Sequence, residues 1–235
     1  MGKALTTMRR VLRLLEKHYG RPKPPAVTGP LEMILFENVG YLADDEQRAA
    51  AYAALKKQIG AQPEKILAAS DAALVEIARL GGIMPELRAG KLRQIAELAH
   101  WIFKDDLRAI LKKPLAEAKK DLKRFPSIGE PGAEKILLFT RSHPVLALDS
   151  NGLRVLLRLG FGEEKKNYAA SYRSAQEAAQ DQLPEDYFIL IRAHQLLRQH
   201  GQELCKRSRP LCDLCPVKDA CRYFQTLRPR AGQLP

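Results

Sequence analysis

Three groups of residues in this chain have the types and spacing that chemistry needs. The first is four cysteines, Cys205, Cys212, Cys215 and Cys221, spaced C-x6-C-x2-C-x5-C. Four thiolates so close in sequence suit a metal, either zinc or an iron–sulfur cluster, better than a disulfide framework. The second is a single acid, Asp149, which ends the apolar run Val145-Leu-Ala-Leu148 and opens a helix. Its structural role would be an N-cap, for which Asp is favoured. Its chemical role would be that of a carboxylate at the rim of a site. The third is Glu37, next to Asn38 in an otherwise apolar segment. A buried carboxylate is costly unless paired, so Glu37 is either an ion-paired or capping residue or an acid in a pocket.

The elements that must position these residues are helices. The stretch before Asp149 reads as a helix–hairpin–helix: a charged helix at about 115–124, a Pro/Gly turn at 125–131, and a second helix at about 132–140. Gly129 and Gly132 suit positive φ or close backbone approach, and Pro126 and Pro131 fix φ at the break. Such a turn directs backbone N–H groups outward at a helix start, which is an anion site. The donors are expected near Ile128, Gly129 and Gly132. Other helices are expected at about 4–18, 31–43, 45–59, 63–69, 71–79, 88–103, 105–112, 150–159, 168–182 and 185–200. Gly20–Pro30 is a linker, and Leu80-Gly-Gly-Ile-Met-Pro85 is a loop that offers Ile83 and Met84. No segment alternates with a period of two, and no repeat is found, so the fold class is all-α.

The net charge is +12, from 39 Lys+Arg against 27 Asp+Glu. That excess favours a polyanionic partner over mere solvation of a basic surface. Met1-Gly-Lys-Ala-Leu-Thr6 fits a loose myristoylation pattern, but the residues that follow read as an ordinary amphipathic helix. With no signal-type segment and no apolar span, the expectation is a cytoplasmic, nucleoid-associated monomer with no membrane partner.

Phe-Pro-x-Ile-Gly-x-x-x-Ala, followed by Ala147-Leu-Asp-x-Asn-x-x-Arg-Val155, resembles the hairpin and acid signature of the endonuclease III and MutY superfamily of DNA glycosylases. His200-Gly201 and the four cysteines stand where that family places its cluster loop, so the resemblance covers nearly the whole chain. It implies a [4Fe–4S] cluster on Cys205, Cys212, Cys215 and Cys221. It also implies a two-lobed fold with the active-site cleft between a helical barrel at 30–140 and a cluster domain made of 1–29 plus 141–225, with a mobile tail at 226–235. Duplex DNA carrying a damaged or mismatched base is the implied substrate. Asp149 takes the catalytic role, assisting cleavage of an N-glycosidic bond by the logic of glycoside hydrolysis. Asn151 supports it, and Glu37 matches an acid of MutY-type enzymes. Ile83 and Met84, with Tyr41 and Leu42 on a second loop, would fill the space left by an extruded base. Lys206 and Arg207 in the cysteine loop would contact phosphate. Bifunctional members carry a nucleophilic Lys where this chain has Pro131, so the expectation is a monofunctional enzyme that uses water. The alternatives are a bifunctional glycosylase that uses another amine such as Lys135, and a non-catalytic lesion- or structure-binding protein. A zinc transcription factor is disfavoured, because the cysteines lack a recognition helix. The chain runs only a short way past the cysteines, and the base it would release is not written in the sequence.

Overall fold

Thirteen α-helices account for most of residues 7–227, the part of the chain that the computed structural model describes. In order they are α1 (Met8–Tyr19), α2 (Pro30–Val39), α3 (Asp45–Gln58), α4 (Pro63–Ala68), α5 (Asp71–Leu80), α6 (Pro85–Glu97), α7 (Arg108–Leu111), α8 (Leu115–Leu122), α9 (Glu130–Phe139), α10 (Ser150–Leu159), α11 (Tyr168–Gln180), α12 (Tyr187–Glu203) and α13 (Arg222–Leu227). Among the described residues there is no strand, only an isolated parallel bridge between Tyr41 and Gly82, so the fold is all-α. The expected tail at 226–235 lies outside the described residues, apart from the end of α13.

Local chemistry sets the helix ends. Thr7, Asp44, Ser70, Asp149, Asn167 and Asp186 each cap a helix through a side-chain oxygen, and α2, α4, α6 and α9 each have a proline in the first turn, where its missing N–H is no loss. Two expected boundaries move. The second helix stops at Val39, not near residue 43, because the chain turns extended at Gly40 and Tyr41 N–H donates to Gly81 O at 2.9 Å. The helix expected at 88–103 starts earlier, at Pro85, and runs on as a five-residue π-helix over Leu98–Ile102.

The chain divides into two compact units. One is formed by residues 25–143, the other by the described residues 7–24 and 144–227. The first is a helical array in which α2, α3, α5 and α6 bury Ile34, Leu35, Leu55, Leu74, Ile77 and Leu92. The pair α8–α9 forms the hairpin and packs through α9 on α2. The second unit is organised by α10 against α12, with α1 beside α12. Gly201 is essential to that packing: a Cβ there would sit 2.7 Å from Asn151 Cβ and 2.8 Å from Asn151 O.

Candidate functional site

In the unit holding Asp149, the run Val145–Leu148 is extended and buried but has no neighbouring strand. Its polar backbone is satisfied by side chains instead, as buried peptide groups require. Leu146 N–H donates to Gln180 Oε1 at 2.7 Å and Leu146 O accepts from Gln176 Nε2 at 2.8 Å. Leu148 N–H donates to the Tyr172 hydroxyl at 3.1 Å, and Ala147 O lies 2.9 Å from His194 Nδ1. This clamp delivers Asp149 to the N-terminus of α10. Asp149 Oδ1 accepts from Gly152 N–H at 2.7 Å, so the residue is the helix cap. Oδ2 accepts from Asn151 Nδ2 at 3.0 Å and faces Arg198 Nε at 3.6 Å, with the side chain 28% exposed.

Asn151 is thus brought to Asp149, and a relay runs onward from it. Its Oδ1 accepts from Arg154 Nη2 at 2.8 Å, and Arg154 also donates to Gly201 O at 2.7 Å and to Cys205 O at 2.9 Å. The acid is therefore linked by hydrogen bonds to the first cysteine. Arg154 is the arginine of the Asp-x-Asn-x-x-Arg signature, to which the sequence assigned no role of its own. Arg198 and Tyr168, whose hydroxyl is pushed up by burial and then by the charge of Asp149, carry no local signal in the sequence.

The four cysteines are free thiols that line one pocket with Val155, Leu159 and Leu204. Among the described residues no three His, Cys, Asp or Glu are gathered as a single metal ion would need. Four sulfurs lining one apolar-walled pocket are a thiolate donor set that suits either an iron–sulfur cluster or zinc. Burial pushes the Cys215 thiol up to about 11, against a lowering backbone hydrogen bond from Val217 and with the neighbouring thiols adding to the rise. Donors surround the pocket: Arg158 Nη1 lies 3.4 Å from Cys205 Sγ, and His200 Nε2 lies 3.5 Å from Cys215 Sγ. His200 is buried, and the Tyr19 hydroxyl sits 2.9 Å from its Nδ1. Lys206 and Arg207 are exposed, and their carbonyls accept from Arg158 at 2.7 and 3.0 Å.

The other unit carries the hairpin, Glu37 and the two apolar loops. Gly129 is the N-cap of α9 with φ −91°, and neither it nor Gly132 takes positive φ. The positive φ expected of a glycine falls on Ser127 instead, at 61°. A Cβ at either glycine would meet only ordinary van der Waals contacts, at 3.9 Å from Pro131 Cδ for Gly129 and 3.5 Å from Ile128 Cγ2 for Gly132. Ile128 is corrected as a donor: it is buried, and its N–H is spent on Phe125 O at 3.2 Å. The amides without a backbone acceptor at this helix start are those of Gly129, Glu130 and Gly132.

Glu37 is held by two cations, Lys135 Nζ at 2.5 Å and Arg48 Nη1 at 3.4 Å. It lines a pocket of about 260 Å³ with Asn38, Tyr41, Met84, Lys91 and Ser127. Asn38 is buried, its Nδ2 donates to Ile34 O and Pro126 O, and its Oδ1 has no partner. Tyr41, Leu42, Ile83 and Met84 are brought together on adjoining loops, 50, 77, 49 and 53% exposed. What joins those loops is Arg88, a buried residue that sequence reasoning missed. Its guanidinium donates to Val39 O, to Gly82 O at 2.6 Å and to Ile83 O at 2.7 Å. Leu42 and Met84 take positive φ, 49° and 56°, at the loop tips.

Comparison with known proteins agrees with this layout. No family model matches the chain. The Endonuclease III of Sulfolobus acidocaldarius is 26% identical over 197 residues, 83% of this chain and 80% of the relative. A trapped endonuclease III–DNA covalent intermediate superposes with a TM-score of 0.73 at 17% identity, covering 95% of this chain and 99% of that one. A thermostable thymine-DNA glycosylase gives 0.70 at 16% identity, over 93% and 95%. The fold is that of the helix–hairpin–helix DNA glycosylases. Within that class the chain is similar in sequence to endonuclease III over the greater part of its length.

Proposed function

We propose that this chain is a base-excision-repair DNA glycosylase that acts as a monomer on duplex DNA at the nucleoid, extrudes a damaged or mismatched nucleotide and releases its base by hydrolysis. The coarse part of this reading, a glycosylase of the endonuclease III type, is supported by its relatives. The observation that carries the finer part is Asp149: one carboxylate oxygen is committed to the helix cap, while the other is fixed by Asn151 and left partly exposed. In the proposed step the C1′–N bond breaks and the base leaves with the bonding electrons, taking a proton from solvent, while a water oxygen bonds to C1′ as it gives a proton to Asp149, which returns that proton to solvent. The carboxylate also stabilises the positive charge that develops on the sugar.

A water mechanism is supported by the state of the amine that could replace it. Lys135 Nζ is held by Glu37 at 2.5 Å, so the amine is engaged in an ion pair and not presented to a substrate carbon. The four cysteines are assigned to a [4Fe–4S] cluster. When bound, the cluster cross-links the loop at four points and supplies redox chemistry. The chain's own part is to seat it among apolar walls and to present Arg158 and His200 to the sulfurs. Tyr41, Leu42, Ile83 and Met84 would occupy the stack behind the extruded base, and Lys206, Arg207 and the amides of Gly129 and Gly132 would hold phosphates.

The test is incubation with a panel of lesion duplexes, with and without hot alkali, and with borohydride. Breaks that appear only after alkali, with little covalent trapping, are expected. Efficient trapping would overturn the water mechanism in favour of an amine. One observation favours a second reading, a non-catalytic lesion binder: both oxygens of Asp149 and both of Glu37 have partners. That reading stands if lesion duplexes bind tightly and none is cut.

A further inference from the structure

Of the cations beside the hairpin turn, Arg124 lies over the Phe103 ring, 5.2 Å from its centroid. Lys119 and Lys123, the nearest lysines on α8, are spent on Glu130 at 2.5 and 2.7 Å, and Lys119 also on Glu134 at 2.9 Å. Pro131 has no N–H to give. A cation reaches the turn from a different element: Lys91, on α6, donates from Nζ to Ser127 Oγ at 2.9 Å. A neutral hydroxyl directs the ammonium without cancelling its charge, and no carboxylate among the described residues pairs with Lys91. Glu37, the carboxylate of the same pocket, is already paired to Lys135 and Arg48.

Ser127 is the second observation. Its φ of 61° strains a residue with a side chain, whereas glycine takes it freely. A glycine would relieve the backbone and lose the hydroxyl that aims Lys91. Strain kept at such a position points to function. We propose that Lys91, aimed by Ser127, is a cationic contact of the hairpin with a DNA phosphodiester, supplied from α6. The proposal takes the class of ligand, duplex DNA, from the reading above.

Binding of a lesion-free duplex, measured against salt, tests it. Lys91→Gln should make the slope of log affinity against log salt shallower by about 0.9, the loss of one neutralised phosphate. Lys91→Arg should keep the slope of the unaltered protein. Lys57→Gln removes the same charge from an exposed position on α3 and should also keep it. Thermal melts of all three should superimpose on that of the unaltered protein. A slope unchanged in Lys91→Gln, or shifted equally in Lys57→Gln, overturns the proposal. Because the duplex carries no lesion, the outcomes separate: a slope change with no base released from any lesion keeps the contact and rejects the glycosylase, and base release without the slope change does the reverse.

Discussion

Asp149 serves the fold and the proposed chemistry with different oxygens. Asp149→Asn keeps Oδ1 for Gly152 N–H, so the cap persists, but it removes the charge and sets an NH2 donor against Asn151 Nδ2 and Arg198 in place of Oδ2, so stability should fall by less than the roughly 0.5–2 kcal/mol of a lost cap. Base release should fall roughly 10²-fold or more, the scale of lost acid–base or electrostatic catalysis, while lesion binding persists. Single-turnover kinetics beside a duplex-binding titration would read both, and full activity would reduce Asp149 to its cap. Glu37 separates its two roles in another way. Glu37→Gln leaves Lys135 and Arg48 without their shared partner. If the acid is structural, the melting temperature falls; if it acts on the substrate, the protein melts normally and only the rate falls. The sequence marked Glu37 as costly to bury but could not choose its partner, because Lys135 lies 98 residues away. Asp149 was legible because a cap is a local event, read from four consecutive residues.

Among the elements, the two apolar loops depend on Arg88 and the hairpin on its lysine–glutamate pairs. Arg88 supplies donors to three carbonyls and is 2% exposed. Burial alone draws its guanidinium downward, and the three acceptors keep the charge in place. Arg88→Met would strand those carbonyls. A cost of about 3 kcal/mol, the scale for unpairing buried polar groups, should appear in denaturant unfolding, with faster amide exchange over residues 40–43 and 81–84. Nothing in the sequence separates Arg88 from the other basic residues of its helix, since two of its acceptors lie five and six residues back and the third 49. The hairpin predicts a pH dependence. Burial would raise the Glu130 carboxyl, but hydrogen bonds from Lys119 and Lys123 outweigh it and hold the group below the usual glutamate range. For Lys119, bonds to Glu130 and Glu134 overcome burial and raise the ammonium above its ordinary value. A lowered acid stabilises the fold above its unfolded pKa, and that contribution fades as the pH falls through the lower folded value. A raised base stabilises below its unfolded pKa and fades as the pH climbs through the higher one. The melting temperature should therefore drop at both the acid and the alkaline extreme, and Glu130→Gln should flatten both limbs. Limbs unchanged in that variant would show that the network carries no pH-dependent stability.

At the scale of the whole molecule, the sequence disclosed the class of fold because helix periodicity, proline placement and cysteine spacing are all short-range signals. It did not disclose the relay Asp149–Asn151–Arg154–Cys205, which joins segments about fifty residues apart through an arginine and main-chain carbonyls. That relay makes the cysteine loop part of the support of the acid. Cys212→Ser should remove one ligand and with it folding free energy, because metal binding to such a loop contributes to folding outright. Purified protein should carry broad absorption near 400 nm, on the order expected for iron–sulfur chemistry, and the variant should lose it. Amide exchange should then quicken in residues 144–227 and in α1, whose Tyr19 is bonded to His200 beside Cys215, and stay unchanged in residues 25–143, which form their own unit. Duplex binding through the hairpin should survive in part, while base release falls further than binding does, because the loop that anchors Arg154 no longer holds Asn151 against Asp149. A colourless, fully folded protein with one stoichiometric zinc would reject the cluster. Exchange that quickens equally in both units would reject the confinement of its effect to the unit that holds the acid.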